Sequence, residues 1–273
     1  MLTALQQILA NLGFHTDLAT VLILFGLFFA RLSIAISMTP FLGGQTVSSR
    51  VKVGLAAVIA AILVANIDVG RVPSMNTVLV MFLLVKEALI GATLGFLCQI
   101  IFNSIQMAGA LIDYGRGMSQ ATFFAPQLET NTSLLGHLQL QGAIVIFLIL
   151  NGHLLFLRAL AKSFETVPVL SFPGFGQGTW PAAEQMARYT SDSLRIAVQL
   201  AAPVLVTLFL VDAGFGMLGR VAQGLQAHHE SQPVKSLAGL GVILLALGYV
   251  FNRMPEYFAG LMQQIGELMQ HLR

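Results

Sequence analysis

Lys86 and Glu87 stand side by side in the middle of an otherwise apolar run, Val78–Ile101. With Arg31 in Leu18–Met38 and Asp212 in Leu194–Leu218, they are the residues whose position alone demands chemistry. A charge at bilayer depth costs about 2.5–3.5 kcal/mol on insertion scales, so each such group serves either an ion path or a polar tie to protein. Sequence neighbours on a helix point about 100° apart, so Lys86 and Glu87 are expected to bond different partners. For Arg31 and Asp212 the structural reading, paired groups between packed helices, comes before the transport reading.

Other chemistries find less support. His137 and His153 are far apart, and His228 and His229 adjoin Glu230 in a polar stretch; no H-x-x-x-H or H-E-x-x-H spacing is present, so no metal site is expected. Cys98 is the single cysteine and lies in an apolar run, which fits a buried, inert thiol. No G-x-S-x-G elbow or P-loop occurs, and Gly214, Gly216 and Gly219 spell G-x-G-x-x-G at the end of an apolar helix rather than after a strand. No catalytic residue and no cofactor are therefore expected.

The elements that position these groups are those of a membrane protein. Charged residues make up 10% of the 273-residue chain, against about 25% in soluble domains. A net charge of +2 with no basic cluster sets nucleic acid aside. The first residues lack the basic start and small-residue cleavage pattern of a secretory signal, so no removed leader is expected.

Apolar periodicity predicts an all-α, multi-helix membrane-associated protein with kinked, polar-interrupted helices and helical hairpins. The helices are placed at about 3–13, 17–38, 51–67, 76–112, 133–162, 180–220, 234–251 and 254–271. One domain is expected over 1–273, with amphipathic helices at its ends, 1–17 and 254–273. Thr39-Pro40, Val72-Pro73, Ala125-Pro126 and the Gly/Pro-rich stretch Val167–Pro181 mark the joints, the last expected at a water interface with Trp180. Basic residues are spread evenly over the connections and assign no orientation. Every long run carries ionisable groups or is short for a ~30 Å hydrocarbon core, so its polar groups are expected to face partner subunits. The stripe Phe258, Leu261, Met262, Ile265, Leu268, Met269 and Leu272 has a polar face poor in Lys and Arg, which favours packing on a protein over lying on lipid.

Two local patterns add detail. Gly91 and Gly95 form a small-xxx-small face on which another helix can approach closely. Asp113–Pro126, between two apolar helices, gathers two glycines, a charge pair, small polar residues, an aromatic pair and a proline. Irregular backbone at membrane depth survives where protein buries it or it lines a cavity, so beside an ordinary polar loop the segment admits a mobile constriction: Met118, Phe123 and Phe124 close a conduit, and Gly115 and Gly117 let them move.

Several short motifs occur in an order that resembles the FliR/SctT family, the export-gate proteins of bacterial flagella and type III secretion injectisomes. They are Arg50-Val-Lys-Val-Gly-Leu55; Glu87, Ile90-Gly91 and Leu94-Gly95-Phe96; Gly117-Met-Ser119 with Pro126; Asn151-Gly-His153; Ser163-Phe164 with Pro168; and Gln232-Pro-Val-Lys-Ser236. The resemblance covers about residues 18–252 and rests on order and spacing.

It implies a non-enzymatic subunit of a helical complex with FliP/SctR-like and FliQ/SctS-like partners, wrapped at its entrance by an FlhB/SctU-like switch protein. Such a complex forms the closed conduit for unfolded export substrates, is assembled through the bacterial inner membrane of the basal body or injectisome base, and ends displaced toward the periplasm. The resemblance makes Gly115, Gly117, Met118, Ser119, Phe123 and Phe124 the pore plug, with Arg116 as its anchor, and makes Arg31, Lys86, Glu87 and Asp212 polar contacts between subunits. Asn151-Gly-His153 is similar to the flagellar branch, whereas Asp113, Arg116-Gly117 and Pro233-Val-Lys-Ser236 are similar to the injectisome branch; the balance tilts to flagellar. Two rivals stand beside this reading: a secondary transporter using Lys86, Glu87, Asp212 and Arg31 as a relay, for which the two halves show no internal similarity, and a membrane enzyme using His153 or His137.

Overall fold

The computed structural model describes residues 18–43, 47–66, 76–117, 133–172, 180–221 and 227–271. The described residues are helical with short turns and contain no strand. The helices are α1 (Leu18–Met38), the short α2 (Pro40–Gly43), α3 (Ser49–Ala65), α4 (Thr77–Gly115), α5 (Leu134–Ile149), α6 (Gly152–Thr166), α7 (Trp180–Val221) and α8 (Ala227–His271). The expected N-terminal helix at 3–13 lies outside the described residues.

Three helical stretches, Leu18–Met38, Thr77–Gly115 and Glu184–Val221, are long and apolar enough to cross a membrane, and α5 with α6 is so only as a pair, bent by 73° at the break between them. Where the sequence suggests one helix over 133–162, the chain breaks at Asn151, whose φ of 57° is left-handed. Ordinary residues reach that region at a cost of roughly 1–2 kcal/mol, Asn more easily than most. At the other end, where separate helices at 234–251 and 254–271 are expected, α8 runs through both with Pro233 and Pro255 inside it.

The chain divides into two compact units, Met1–Gln99 with Leu155–Ala182 and Gln264–Arg273, and Ile100–Leu154 with Ala183–Gln263. In the first, α1 buries the stripe Leu24, Leu27, Phe28, Arg31, Leu32, Ala35 and Ile36 at helical spacing. It packs on α3, whose buried positions Ala56, Ala60 and Val64 are small enough to bring the axes together. The backbone of α1 also lies against Gly91 and Gly95 of α4: a Cβ on Gly95 would sit 2.7 Å from Met38 Cβ, and one on Gly91 would run into the Arg31 carbonyl. Phe28 stacks on Phe164 at 4.8 Å, and Phe41 meets Phe156 edge-on at 5.6 Å.

In the second unit, Phe102, Phe147 and Phe258 form a three-ring centre with centroids 4.9–5.4 Å apart. Gly109 of α4 and Gly136 of α5 meet backbone to backbone, since a Cβ on either would lie 2.5–2.6 Å from main-chain atoms of the other helix. Such crossings replace side-chain interdigitation by close backbone contact, the packing mode that works where lipid removes the hydrophobic drive.

Candidate functional site

The intramembrane charges form a site, and its shape differs from the one expected. Arg31 is fully buried, and all five of its N–H groups are used within the chain. Nε and Nη2 take the two oxygens of Glu87 at 2.5 and 3.0 Å, a forked pair. Nη1 donates to the carbonyl and hydroxyl of Ser163 at 2.8 and 3.1 Å, and Nη2 donates to the Val167 carbonyl at 2.9 Å. The guanidinium face lies 4.2 Å from the centroid of Phe164.

Lys86 completes the cluster. Its Nζ lies 2.7 Å from Glu87 Oε1 and donates to the carbonyls of Pro168, Val169 and Ser171 at 3.0, 2.8 and 2.9 Å. Lys86 and Glu87 thus pair with each other, contrary to the expectation from helical geometry: four methylenes let the ammonium swing back over a carboxylate on the next residue. Two cations share one anion, and five carbonyls at and just past the end of α6 supply the rest of the negative potential. That is the negative end of a helix dipole.

Where the sequence places Arg31, Lys86 and Glu87 as contacts between subunits, the structure pairs them with one another within the chain. Each is at most 7% exposed and is solvated by its own chain. In the stretch after α6, Val167 and Val169 are buried and their carbonyls cap the charges, whereas Pro168, Leu170, Ser171 and Phe172 are exposed. Ser163, invisible as a functional residue in the sequence, turns out to hold Arg31 by two atoms.

Asp212 differs. It pairs with Lys235, and its side chain remains 48% exposed. It lies beside an open apolar groove of about 530 Å³ lined by Leu210, Val211, Gly214, Phe215, Met217, Leu218, Val221 and Val234.

Of the expected plug, Met118, Ser119, Phe123 and Phe124 lie outside the described residues. The approach to them is described. Gly117 has φ 77°, a conformation open to glycine, and a Cβ on Gly115 would touch Leu205 and Leu208 at 3.0 and 3.1 Å. Arg116 faces Asp113 at 3.6 Å, and its side chain covers Gly239, where a Cβ would lie 2.9 Å from Arg116 Cγ. Asp113 itself accepts hydrogen bonds from Ser133 Oγ at 2.6 Å and from the Leu135 N–H at 2.9 Å.

Among the described residues no group of three or more His, Cys, Asp or Glu side chains could hold a metal ion. His137 is 3.5 Å from Gln141, and His153 is half-buried with no nucleophile hydrogen-bonded to it among the described residues.

Comparison with known proteins matches this arrangement to one family. Residues 22–261 match the family described as bacterial export proteins, family 1. The flagellar biosynthetic protein FliR of Bacillus subtilis is 30% identical over 241 residues, covering 86% of this chain and 90% of its own length. FliR of Pectobacterium carotovorum is 29% identical over 88% and 89%. The Yop proteins translocation protein T of Yersinia pestis is 33% identical over 61% of this chain and 64% of its own length. An all-helical membrane chain that matches over nearly all of its length is a member of that family: this protein is a bacterial export protein of family 1.

Proposed function

We propose that the chain is a core subunit of the export gate of a type III secretion machine, forming with partner subunits the closed conduit through which unfolded proteins leave the cell. Its relatives are flagellar and injectisome apparatus proteins. Alignment with the FliR proteins runs along almost the whole chain, and this favours the flagellar machine. The partners we assign are FliP/SctR-like and FliQ/SctS-like gate subunits and an FlhB/SctU-like switch protein, and the place is the inner membrane within the basal body.

The observation that carries this over a transporter is the saturation of Arg31. A proton or ion relay needs a group that can change partners or meet water. Here every donor of Arg31 is committed, Glu87 is fully enclosed, and Lys86 is held by three carbonyls. The charges fix helices and leave transport to a passage built with other subunits. The outward apolar faces, such as Val198, Val206, Phe209 and Leu210 on α7, suit contact with such neighbours or lipid.

Within the gate, the segment from Gly115 through Met118, Ser119, Phe123 and Phe124 serves as the plug, and Arg116 is its anchor. Apolar side chains narrow the conduit until substrate displaces them. The test is affinity purification from the native membrane: the expected outcome is a complex holding the three partner types. Recovery of a lone chain that supports solute flux by itself would sink the proposal in favour of the transporter.

A further inference from the structure

We propose that Tyr249, Arg253 and Glu256 of α8 seat the headgroup of a bilayer phospholipid that carries both a phosphate and a primary ammonium, the phosphatidylethanolamine class. The seat requires only that α8 border a bilayer, and it is independent of the gate assignment.

Two faces of α8 part here by spacing. Val250, Met254 and Phe258, four residues apart, are buried. Tyr249, Arg253 and Glu256, at intervals of four and three, share the opposite face. Tyr249 is 45% exposed, and the Arg253 and Glu256 side chains are 48% and 65% exposed. The height of this face along the helix follows from what surrounds it. Val234, Leu237, Leu240 and Leu244 are exposed before it, and beyond Tyr249 no large apolar side chain is exposed among the described residues of α8. From Leu244 to Tyr249 the helix rises only about 8 Å. Helix α7 shows an edge of the same kind: among its described residues the exposed apolar side chains begin at Leu194, after the exposed pair Arg188–Glu184. An exposed tyrosine where leucines give way to charges marks a membrane–water boundary, with the ring against acyl chains and the hydroxyl among headgroups.

The charges on this face are complementary to a zwitterion. Arg253 Nη1 donates to Glu256 Oε2 at 2.7 Å, and the guanidinium carbon lies 5.6 Å from the Tyr249 ring centroid. Ring and carboxylate thus steady the cation from two sides. Glu256 takes one of the five guanidinium N–H groups, which leaves donors for phosphate oxygens, and its carboxylate keeps lone pairs for an ammonium. The pair is neutral in sum, so an anionic headgroup loses at Glu256 what it gains at Arg253. A choline headgroup matches the charges, but its quaternary nitrogen has no N–H to donate and the Tyr249 ring already holds Arg253. A primary ammonium satisfies both ends, with the phosphate on Arg253 and the ammonium on Glu256.

The test uses the full chain, purified from its native membrane in mild detergent with whatever subunits accompany it. Phosphatidylethanolamine, phosphatidylcholine and phosphatidylglycerol are titrated in turn, and the lipid retained is counted by native mass spectrometry. Phosphatidylethanolamine is expected to be retained best. Arg253→Gln and Glu256→Gln are each expected to lower its retention about fivefold, the scale of one exposed ion pair. Glu256→Gln alone is expected to raise retention of phosphatidylglycerol, because it frees the Arg253 charge.

Equal retention of the ethanolamine and choline lipids by the wild type overturns the seat, as does unchanged ethanolamine-lipid retention in either variant that is recovered. A photoreactive residue in place of the exposed Asn252 reads the same surface in native membranes. Lipid adducts there are expected; protein adducts in their place show that a neighbouring chain covers the face, and overturn the seat. Selective retention by a chain that comes out of the membrane alone leaves the seat standing and counts against the gate reading instead.

Discussion

Arg31 and Glu87 face each other as a forked ion pair with both side chains fully excluded from the surface, 56 positions apart in the chain. Buried pairs of this kind add little net stability when intact, but removing one partner strands the other at a cost of about 3–5 kcal/mol. Glu87→Ala strands two cations, whereas Arg31→Met leaves Glu87 with Lys86. Glu87→Ala is thus expected to be the more damaging change, lowering the denaturation midpoint of the purified protein in detergent further than Arg31→Met. The reverse order would show that Lys86 does not share the carboxylate.

A simple apolar replacement of the pair is not expected to be neutral. Arg31 and Lys86 between them satisfy five carbonyls, of Ser163, Val167, Pro168, Val169 and Ser171. Arg31→Met with Glu87→Leu removes the ion pair, takes the Arg31 donor from the Val167 carbonyl at about 1–3 kcal/mol and leaves Lys86 without its carboxylate, while the Ser163 carbonyl keeps the Val167 N–H at 3.0 Å. The double variant is expected to remain clearly less stable than wild type in the same thermal assay, and equality with wild type would mean that the Val167 carbonyl finds another donor and Lys86 another acceptor.

How much of this was legible in the sequence follows from how local each signal is. Apolar periodicity marks α1, α4 and α7 because every turn of a helix repeats the pattern. Gly91 and Gly95 announce a close approach, although only the structure shows that α1 makes it. The partners of Arg31 were not legible: Ser163 and Val167 lie more than 130 positions away in what reads as a helix end and a polar joint. Nor was Asp113 with Ser133, though two clues stood in the open: an acid at the wrong end of a helix, and a serine one residue before the next apolar run.

The glycine crossing gives a sharp contrast. Gly136→Ala puts a methyl 2.6 Å from the Gln106 carbonyl oxygen, while Gly214→Ala meets nothing within 4 Å. Overpacking of this type costs about 1–3 kcal/mol, more where backbone must move. Gly136→Ala is expected to lower the yield of folded protein after membrane extraction, with Gly214→Ala close to wild type in the same measurement. Equal yields would show that α4 and α5 can separate freely.

Gly117 carries the last prediction. At φ 77° an alanine pays about 1–2 kcal/mol, and asparagine less because its side chain tolerates the left-handed region. The residue begins the proposed plug, so strain there acts on the closed state and spares the helix core. Gly117→Ala is expected to raise ion conductance of the assembled gate modestly, Gly117→Asn less, and deletion of Gly117–Phe124 most, all with normal recovery of partner subunits. Patch or vesicle conductance gives the order directly. A deletion that conducts no more than wild type would place the seal elsewhere in the complex.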